Sequence, residues 1–490
     1  MKRWLKRLAL AAAAAALLAA LAALGWGVAT RRTGRAHLHE VTAALDAADP
    51  GWRLEDILAA RNASFPPDDL NAMKVTEAVR AAATRTFDDW SLRCSGNTGN
   101  GRQWLPEYEL NRRPRPEDAA DARCARDATR PAIDVARRLR LLDRPGGIPL
   151  AVPADPMATL LPFTQNVRHT AAVLNLDTIV AADEGDPDQG IASAHACLNA
   201  TLAIGDEPTL ISMLVRVAVG AIAKTSAERV LALGEPTKGL AELQAAFLAE
   251  ADAPRLRDGF RGERAFLNRL FENVENGSLP LAQIFTAVGN LATASGGTGG
   301  GLMEFVQTVR YRQHVPGDHA AALDMLTRYV EAAKLPPHVA RKRMKAVEPP
   351  PNELRYTLTR ALTPAIERVG EADWRARAYL RSAACGLACE RFRQRHGRWP
   401  RALDDLVPEY LPGGVPLDPY TGVPLRYAVY PGGAVVYATG PDEHDDGGNV
   451  DARATAGTDL GFRLWDPDRR GAAPLPPTPE ELAQTPGGGP

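Results

Sequence analysis

The chain has 490 residues, a formal net charge of -1, 45% hydrophobic and only 6% aromatic residues. That length allows a large core and more than one domain, and the alanine-rich, aromatic-poor composition favours closely packed helices. The near-neutral balance excludes a global basic field for nucleic acid, and CxxC, CxxCH and zinc-type cysteine spacings are absent.

The first predicted element is apolar. Lys2, Arg3, Lys6 and Arg7 precede an uncharged stretch at residues 8–30, and Arg31, Arg32 and Arg35 follow it. Roughly 20 apolar residues cross a bilayer as a helix, which satisfies its own backbone hydrogen bonds in lipid. The more basic N-terminal flank places that end inside and the bulk of the chain outside the cytoplasm. Residues 1–35 are therefore read as a signal-anchor contacting the lipid bilayer through residues 8–30, with Trp26 as an interfacial anchor. The rival reading is a signal peptide cleaved near Ala29. The second apolar stretch, residues 210–223, is short and contains Arg216, so it is expected to be a buried core helix.

Residues 36–115 read as membrane-proximal helices and a loop. Leu70, Met73, Val75, Val79 and Ala83 make a helical stripe, and the Ser, Gly and Asn run from Ser95 to Gly101 marks a loop. Cys94 and Cys124 flank that loop and are a candidate disulfide in an oxidising compartment. Cys197 lies in an apolar helical pattern as a core residue. Cys385 and Cys389 lie four apart, on one helix face.

Residues 116–350 read as a helical domain. Pro131, Pro145, Pro187, Pro208 and Pro236 mark helix boundaries. Leu210, Leu214, Val217, Ala218, Ala221 and Ile222 recur at helical spacing. A bundle and an irregular α-solenoid both fit; no regular repeat is found. The glycine-rich run from Ser295 to Gly301 is a linker, and Gly317 or Asp318 is expected to open a further helix. Residues 351–466 begin with a helix to His396, broken near Pro364. A short helical turn follows, then a hairpin whose strands, residues 425–430 and 434–438, flank Pro431-Gly432-Gly433. Residues 467–490 are expected to be disordered. The predicted fold class is thus mainly α, after an N-terminal transmembrane helix, with a small C-terminal α+β module.

That C-terminal module carries an ordered set of turn motifs. Gly397-Arg398-Trp399-Pro400 ends the long helix. Leu406-Val407-Pro408, Asp418-Pro419-Tyr420-Thr421-Gly422, Pro424-Leu425-Arg426-Tyr427, Thr439-Gly440-Pro441-Asp442 and Asp445-Asp446-Gly447-Gly448 follow in order. Over residues 378–451 this order resembles the globular end of the major pseudopilins of type II secretion. In that family the acidic loop after the last strands binds calcium. The resemblance places the equivalent loop at residues 439–451, with Thr439, Asp442, Asp445, Asp446 and Asp451 as candidate Ca2+ ligands and Glu443 as a further carboxylate. Calcium takes six to eight oxygens on a loop able to curl around it; the competing reading is a solvated acidic turn. Two departures argue against assembly into a pilus-like filament. No leader-processing site precedes residue 8, and several hundred residues separate the apolar helix from the module.

Other motifs point to ordinary structural roles. Asp404-Asp405 suit a helix N-terminus or solvent better than acid/base catalysis. His195 and Cys197 do not make a nucleophile pair by spacing alone. Arg341, Lys342, Arg343 and Lys345 read as a solvated basic face. No catalytic residue is assigned and a non-enzyme is favoured. The expected role is a bacterial inner-membrane envelope protein that scaffolds or binds an envelope protein partner and not nucleic acid. The alternatives are a component of a type II secretion or pilus-like system, and an exported hydrolase with a dispersed site.

Overall fold

The N-terminal apolar stretch and the segment after it form one helix, α1 (Lys2–Ala48), in the computed structural model, which describes residues 2–94, 110–284, 310–450 and 457–476. Its first half is bare: Leu10 is 71% and Leu24 65% exposed. Its second half packs on the body, where Leu38, Val41 and Leu45 meet Trp52 and Leu323. Asp49, just past its end, receives the guanidinium groups of Arg261 and Arg264.

The helices that follow are α2 (Leu54–Ala63), α3 (Ala72–Ala82), α4 (Arg85–Cys94), α5 (Pro116–Ala128), α6 (Arg130–Ala136), α7 (Pro162–Asp183), α8 (Pro187–Asn199), α9 (Leu210–Leu233), α10 (Leu240–Asp252), α11 (Arg255–Asn276), α12 (Val315–Ala333), α13 (Pro337–Lys345) and α14 (Thr357–His396). Proline stands in the first turn of α5, α6, α7, α8, α12 and α13, where its missing N–H costs nothing. Side-chain caps add to this: Asn71 accepts from the Met73 N–H, Asp186 from Gln189 and Thr209 from Ser212. α7, α8 and α9 pack on one another, α9 and α10 pack on α14, α11 pairs with α12, and α1 lies along α12.

Two helices differ from expectation. α12 opens at Val315, ahead of Gly317, and Asp318 is fully buried. Its carboxylate accepts from the Tyr311 hydroxyl, the Thr359 hydroxyl and the Leu358 N–H, so it satisfies the start of α14 rather than of its own helix. α14 runs unbroken through Pro364. An interior proline costs on the order of 3 kcal/mol. The buried face that follows, including Leu380, Ala384, Leu387 and Ala388, outweighs that cost.

After α14 come strands β1 (Arg426–Tyr430), β2 (Gly433–Ala438) and β3 (Leu460–Trp465), a three-stranded antiparallel sheet in the order β1-β2-β3. Tyr430 pairs with Gly433 across the expected hairpin turn, and Val436 with Phe462. The sheet rests on α14 and α9. At Gly386 of α14 a Cβ would overlap the Phe462 ring, so the glycine is what lets β3 approach the helix.

The core does not follow the segment boundaries. One cluster of buried residues runs from Leu54 to Leu464, across positions 115 and 350. Proline-rich stretches end helices; they do not separate cores. The tail also departs from expectation at its start. The Gly471 N–H bonds the Ala232 carbonyl, and Arg470 reaches Glu390 of α14. Residues 477–490 of that tail, and the glycine-rich linker, lie outside the described residues.

The buried stitch of the bundle is ionic. Glu250 on α10 accepts from Arg216 of α9 at 2.8 Å and from Arg255 of α11 at 3.0 Å. Arg255 also holds Asp373 of α14 at 3.1 Å, and Arg377 binds the same carboxylate at 2.6 Å. α9 packs into the core through Met213, Val215, Val219 and Ala223, whereas Leu214, Ala218 and Ala221 of the expected stripe are exposed, and Arg216 is tied to Glu250 within the protein. Removing one partner of a buried pair strands the other and costs about 3–5 kcal/mol. Asp373→Ala is expected to lower unfolding stability by about that much. Asp324→Ala, which removes an exposed pair with Arg328, is expected to change it by less than about 1 kcal/mol. Urea denaturation of both variants checks the contrast.

Candidate functional site

The C-terminal module is fastened to the bundle at the start of its acidic loop. Arg341 of α13, expected in a solvated face, is buried. Its guanidinium binds the Glu443 carboxylate and donates to the Pro441 carbonyl at 2.6 Å. It also lies over the Tyr420 ring, 5.0 Å from the centroid. Beneath the loop, buried Asp418 accepts from the Tyr420 N–H at 2.7 Å and from both the N–H and hydroxyl of Thr439 at 3.0 Å. The Asp-Pro-Tyr-Thr-Gly turn is therefore the platform on which the loop stands.

The candidate calcium ligands have distinct surroundings. The Thr439 hydroxyl faces Asp418. Asp442 is exposed and accepts from the His444 N–H at 3.2 Å. Asp445 accepts from the Gly447 N–H and the Tyr437 hydroxyl at 3.0 Å and from Arg426 at 2.9 Å. Against the effect of burial, these partners hold its carboxyl below the ordinary carboxylate value. Asp446 keeps one buried carboxylate oxygen, Oδ2, without a donor. Asp451 lies outside the described residues.

The structure adds a residue that the sequence reading missed. Asp459, just before β3, is 3% exposed and accepts from the Gly448 N–H at 2.8 Å. Its other oxygen, Oδ1, is buried and also lacks a donor. Burial, helped by the nearby charges of Asp445 and Asp446, leaves its pKa raised against the pull of the Gly448 and Asp446 backbone N–H groups. Two donorless carboxylate oxygens on one loop are a feature a hard cation satisfies. Among the described residues, no group of three or more His, Cys, Asp or Glu side chains is gathered to hold a metal ion.

The cysteines fall into two groups. Cys197, Cys385 and Cys389 are buried, and burial pushes the thiols of Cys197 and Cys385 up to about 12. The Cys197 thiol points at the Ala171 carbonyl, away from His195, so the two make no catalytic pair. Cys124 is exposed on α5. Arg93 binds Asp121 at 2.8 Å, which holds the end of α4 beside α5; the side chain of Cys94 lies outside the described residues. Asp405 accepts from the Arg401 N–H at 2.8 Å, the local capping role expected of that pair.

Concave surfaces also lie elsewhere among the described residues. One, of about 310 Å³, is lined by Arg140, Asp186, Asp188, His195 and Lys238. Asp188 there accepts from Thr237 and the Lys238 N–H. Another, of about 510 Å³, is an apolar groove along residues 148–163. The start of α9 gathers acids of a different kind. Glu207 accepts from the Ser212 hydroxyl and lies 3.5 Å from Arg61, and Glu263 accepts from the Leu210 N–H. Burial pushes both carboxyls up to about 7.

Comparison with protein-family models, with curated proteins and with solved structures finds no match for this chain.

The Glu207 cluster makes a pH prediction. Its folded-state pKa is about 7 against an ordinary 4.5, so the folded protein retains a proton that the unfolded chain loses. The resulting stabilisation is complete below the unfolded value and is lost as pH rises through about 7. Glu207→Gln is expected to give a shallower fall in unfolding midpoint across that window than the unsubstituted chain, read by urea titration at stepped pH. Parallel profiles would show that Glu207 does not hold the proton.

Proposed function

We propose that this is a membrane-anchored envelope protein whose helical body scaffolds or binds a protein partner outside the cytoplasm. The observation that carries this reading is α1. Leu10, Leu17, Leu18, Leu21, Leu24, Trp26 and Val28 are exposed, while Leu38, Val41 and Leu45 of the same helix pack on the body. An exposed stripe of that length is stable in hydrocarbon and unfavourable in water. α1 is one of two helices among the described residues long and apolar enough to cross a membrane. The other, α9, is half-buried and tied by Arg216 to Glu250.

Orientation is testable with a native residue. Cys124 is exposed, and a Cys94→Ala variant cannot pair with it. In intact spheroplasts, a membrane-impermeant maleimide is expected to label Cys124 of that variant, and the protein is expected to stay with membranes after alkaline carbonate washing. Labelling only after lysis, or release by carbonate, would reject the proposed placement. Crosslinking in the same cells then identifies the partner.

A second reading, a component of a type II secretion or pilus-like system, is favoured by the C-terminal order of long helix, turns, hairpin and acidic loop. It brings calcium with it. Asp446 and Asp459 would hold the ion through their donorless oxygens, and the ion would tie the loop to the start of β3. A ligand bound only by the folded state stabilises it by about 2.7 kcal/mol at a hundredfold excess over Kd. Millimolar calcium is therefore expected to raise the melting temperature, and Asp446→Ala or Asp459→Ala to abolish that rise. An unchanged melting curve in the parent chain would remove calcium from this reading.

A further inference from the structure

The place where α1 meets the body carries a second feature. The rise of an α-helix is about 1.5 Å per residue, and the hydrocarbon layer is about 30 Å thick. Residues 8–27 therefore suffice to cross it. At the end of that interval the Trp26 ring packs edge-on to His314, with centroids 5.7 Å apart. A Cβ on Gly27 would overlap the Gln313 amide, and one on Gly34 would press on the Gly317 backbone. These contacts hold residues 310–317 at the level where α1 leaves the apolar layer.

Arginines from separate parts of the chain gather at that level. Arg31, Arg32 and Arg35 come from α1, with Arg31 and Arg35 one turn apart on the same face. Arg310 and Arg312 come from the segment before α12. Arg310 and Arg355 both act on His314: burial first, then the two positive charges, push its pKa down. Arg355 has a carboxylate partner, Glu353, at 2.8 Å. The other five make no ion pair or side-chain hydrogen bond among the described residues, and the Nε of Arg31 is buried without an acceptor. The buried arginines of the bundle, such as Arg255, Arg377 and Arg470, each hold a carboxylate.

We propose that Arg31, Arg32, Arg35, Arg310 and Arg312 form a collar that binds the phosphate groups of anionic phospholipids in the leaflet from which α1 emerges. This rests on reading α1 as a membrane span. A guanidinium presents a planar fork of donors that matches phosphate oxygens in pairs, and arginines held near a membrane surface are drawn to anionic lipid. The lipid source follows from position, because these arginines stand where an exposed apolar helix meets the body.

The test uses the full-length protein in nanodiscs of equimolar phosphatidylcholine and phosphatidylglycerol, with retained lipids counted by native mass spectrometry. Phosphatidylglycerol is expected to be retained in roughly threefold or greater excess. The excess is expected to fall to the bulk ratio in a combined Arg31→Gln, Arg35→Gln, Arg310→Gln, Arg312→Gln variant, and also in the parent chain at about 0.5 M salt. Arg138→Gln with Arg140→Gln, elsewhere on the surface, is expected to leave it unchanged. The salt arm needs no variant, so it stands even if the combined variant folds poorly. Equal retention of the two lipids by the parent chain, or an excess that survives in the folded variant, overturns the collar. So does displacement of the retained lipid by inorganic phosphate at matched ionic strength, which would mark a free-phosphate site. Flotation on pure phosphatidylcholine vesicles separates the two claims. A chain that floats without lipid preference loses the collar alone, and a chain that does not float loses the anchor and the collar together.

Discussion

The arrangement of the bundle depends on a chain of charges closed away from water: Arg216, Glu250, Arg255, Asp373 and Arg377. Alanine supplies much of the core, for example Ala171, Ala194, Ala223, Ala227, Ala383 and Ala388. Alanine lets helices approach closely, but its small side chain offers few features to distinguish one axial register from the next. A buried carboxylate does distinguish them, because a shift of one turn would leave it without its guanidinium. Burial alone would push the Asp373 carboxyl up; Arg377 and Arg255 overcome that and hold it below its ordinary value. The charges therefore act as register marks between α9, α10, α11 and α14.

The same device joins the sheet module to the bundle. Glu390 of α14 is wholly buried and holds Arg393 of its own helix and Arg470 from beyond β3. Arg341 reaches the acidic loop through Glu443. Glu228 of α9 accepts from the Arg463 N–H in β3 at 2.6 Å and pairs with Lys224. The links to Arg470, Glu443 and the Arg463 N–H run between segments far apart in sequence. Together they explain why the start of the tail is held in place and why the module is continuous with the helical core.

This also marks what can be read from residue order. Helix starts are local events, set by a proline in the first turn or by Asn71, Asp186 and Thr209 as caps, so the helical order was legible. The hairpin was legible for the same reason, since Pro431-Gly432 decides its turn within two residues. Arg341, Asp318 and Asp459 were not. Each looks like an ordinary surface charge in its own neighbourhood, and each takes its role from a partner brought by the fold. In β3 a signal was present: Leu460, Phe462 and Leu464 alternate inward, as a strand requires. At Pro364 the local rule was sound, but tertiary burial outweighed it. At the acidic loop the run of aspartates was visible. That Asp445 is engaged by Arg426 while Asp446 and Asp459 each keep an oxygen without a donor depends on the start of β1 and the start of β3 both lying beside the loop.

The N-terminus shows what a continuous helix adds to an anchor. If a flexible linker followed residue 30, the body could stand at any distance from the membrane. Here the contacts begin at Trp26 and Gly27, before the apolar stretch has ended, and continue through Gly34 to Leu45. In the proposed placement the body is thus seated against the headgroups with its orientation set by α1. The same contacts bear on the choice between a retained anchor and a cleaved signal peptide. Cleavage near Ala29 would remove Trp26 and Gly27, uncovering His314 and Gln313. It would also leave Gly34, whose missing side chain permits the approach of Gly317, at the frayed start of a shortened helix. A segment destined for removal has no need to pack against the folded body, so this packing supports the proposed anchor over a cleaved signal peptide.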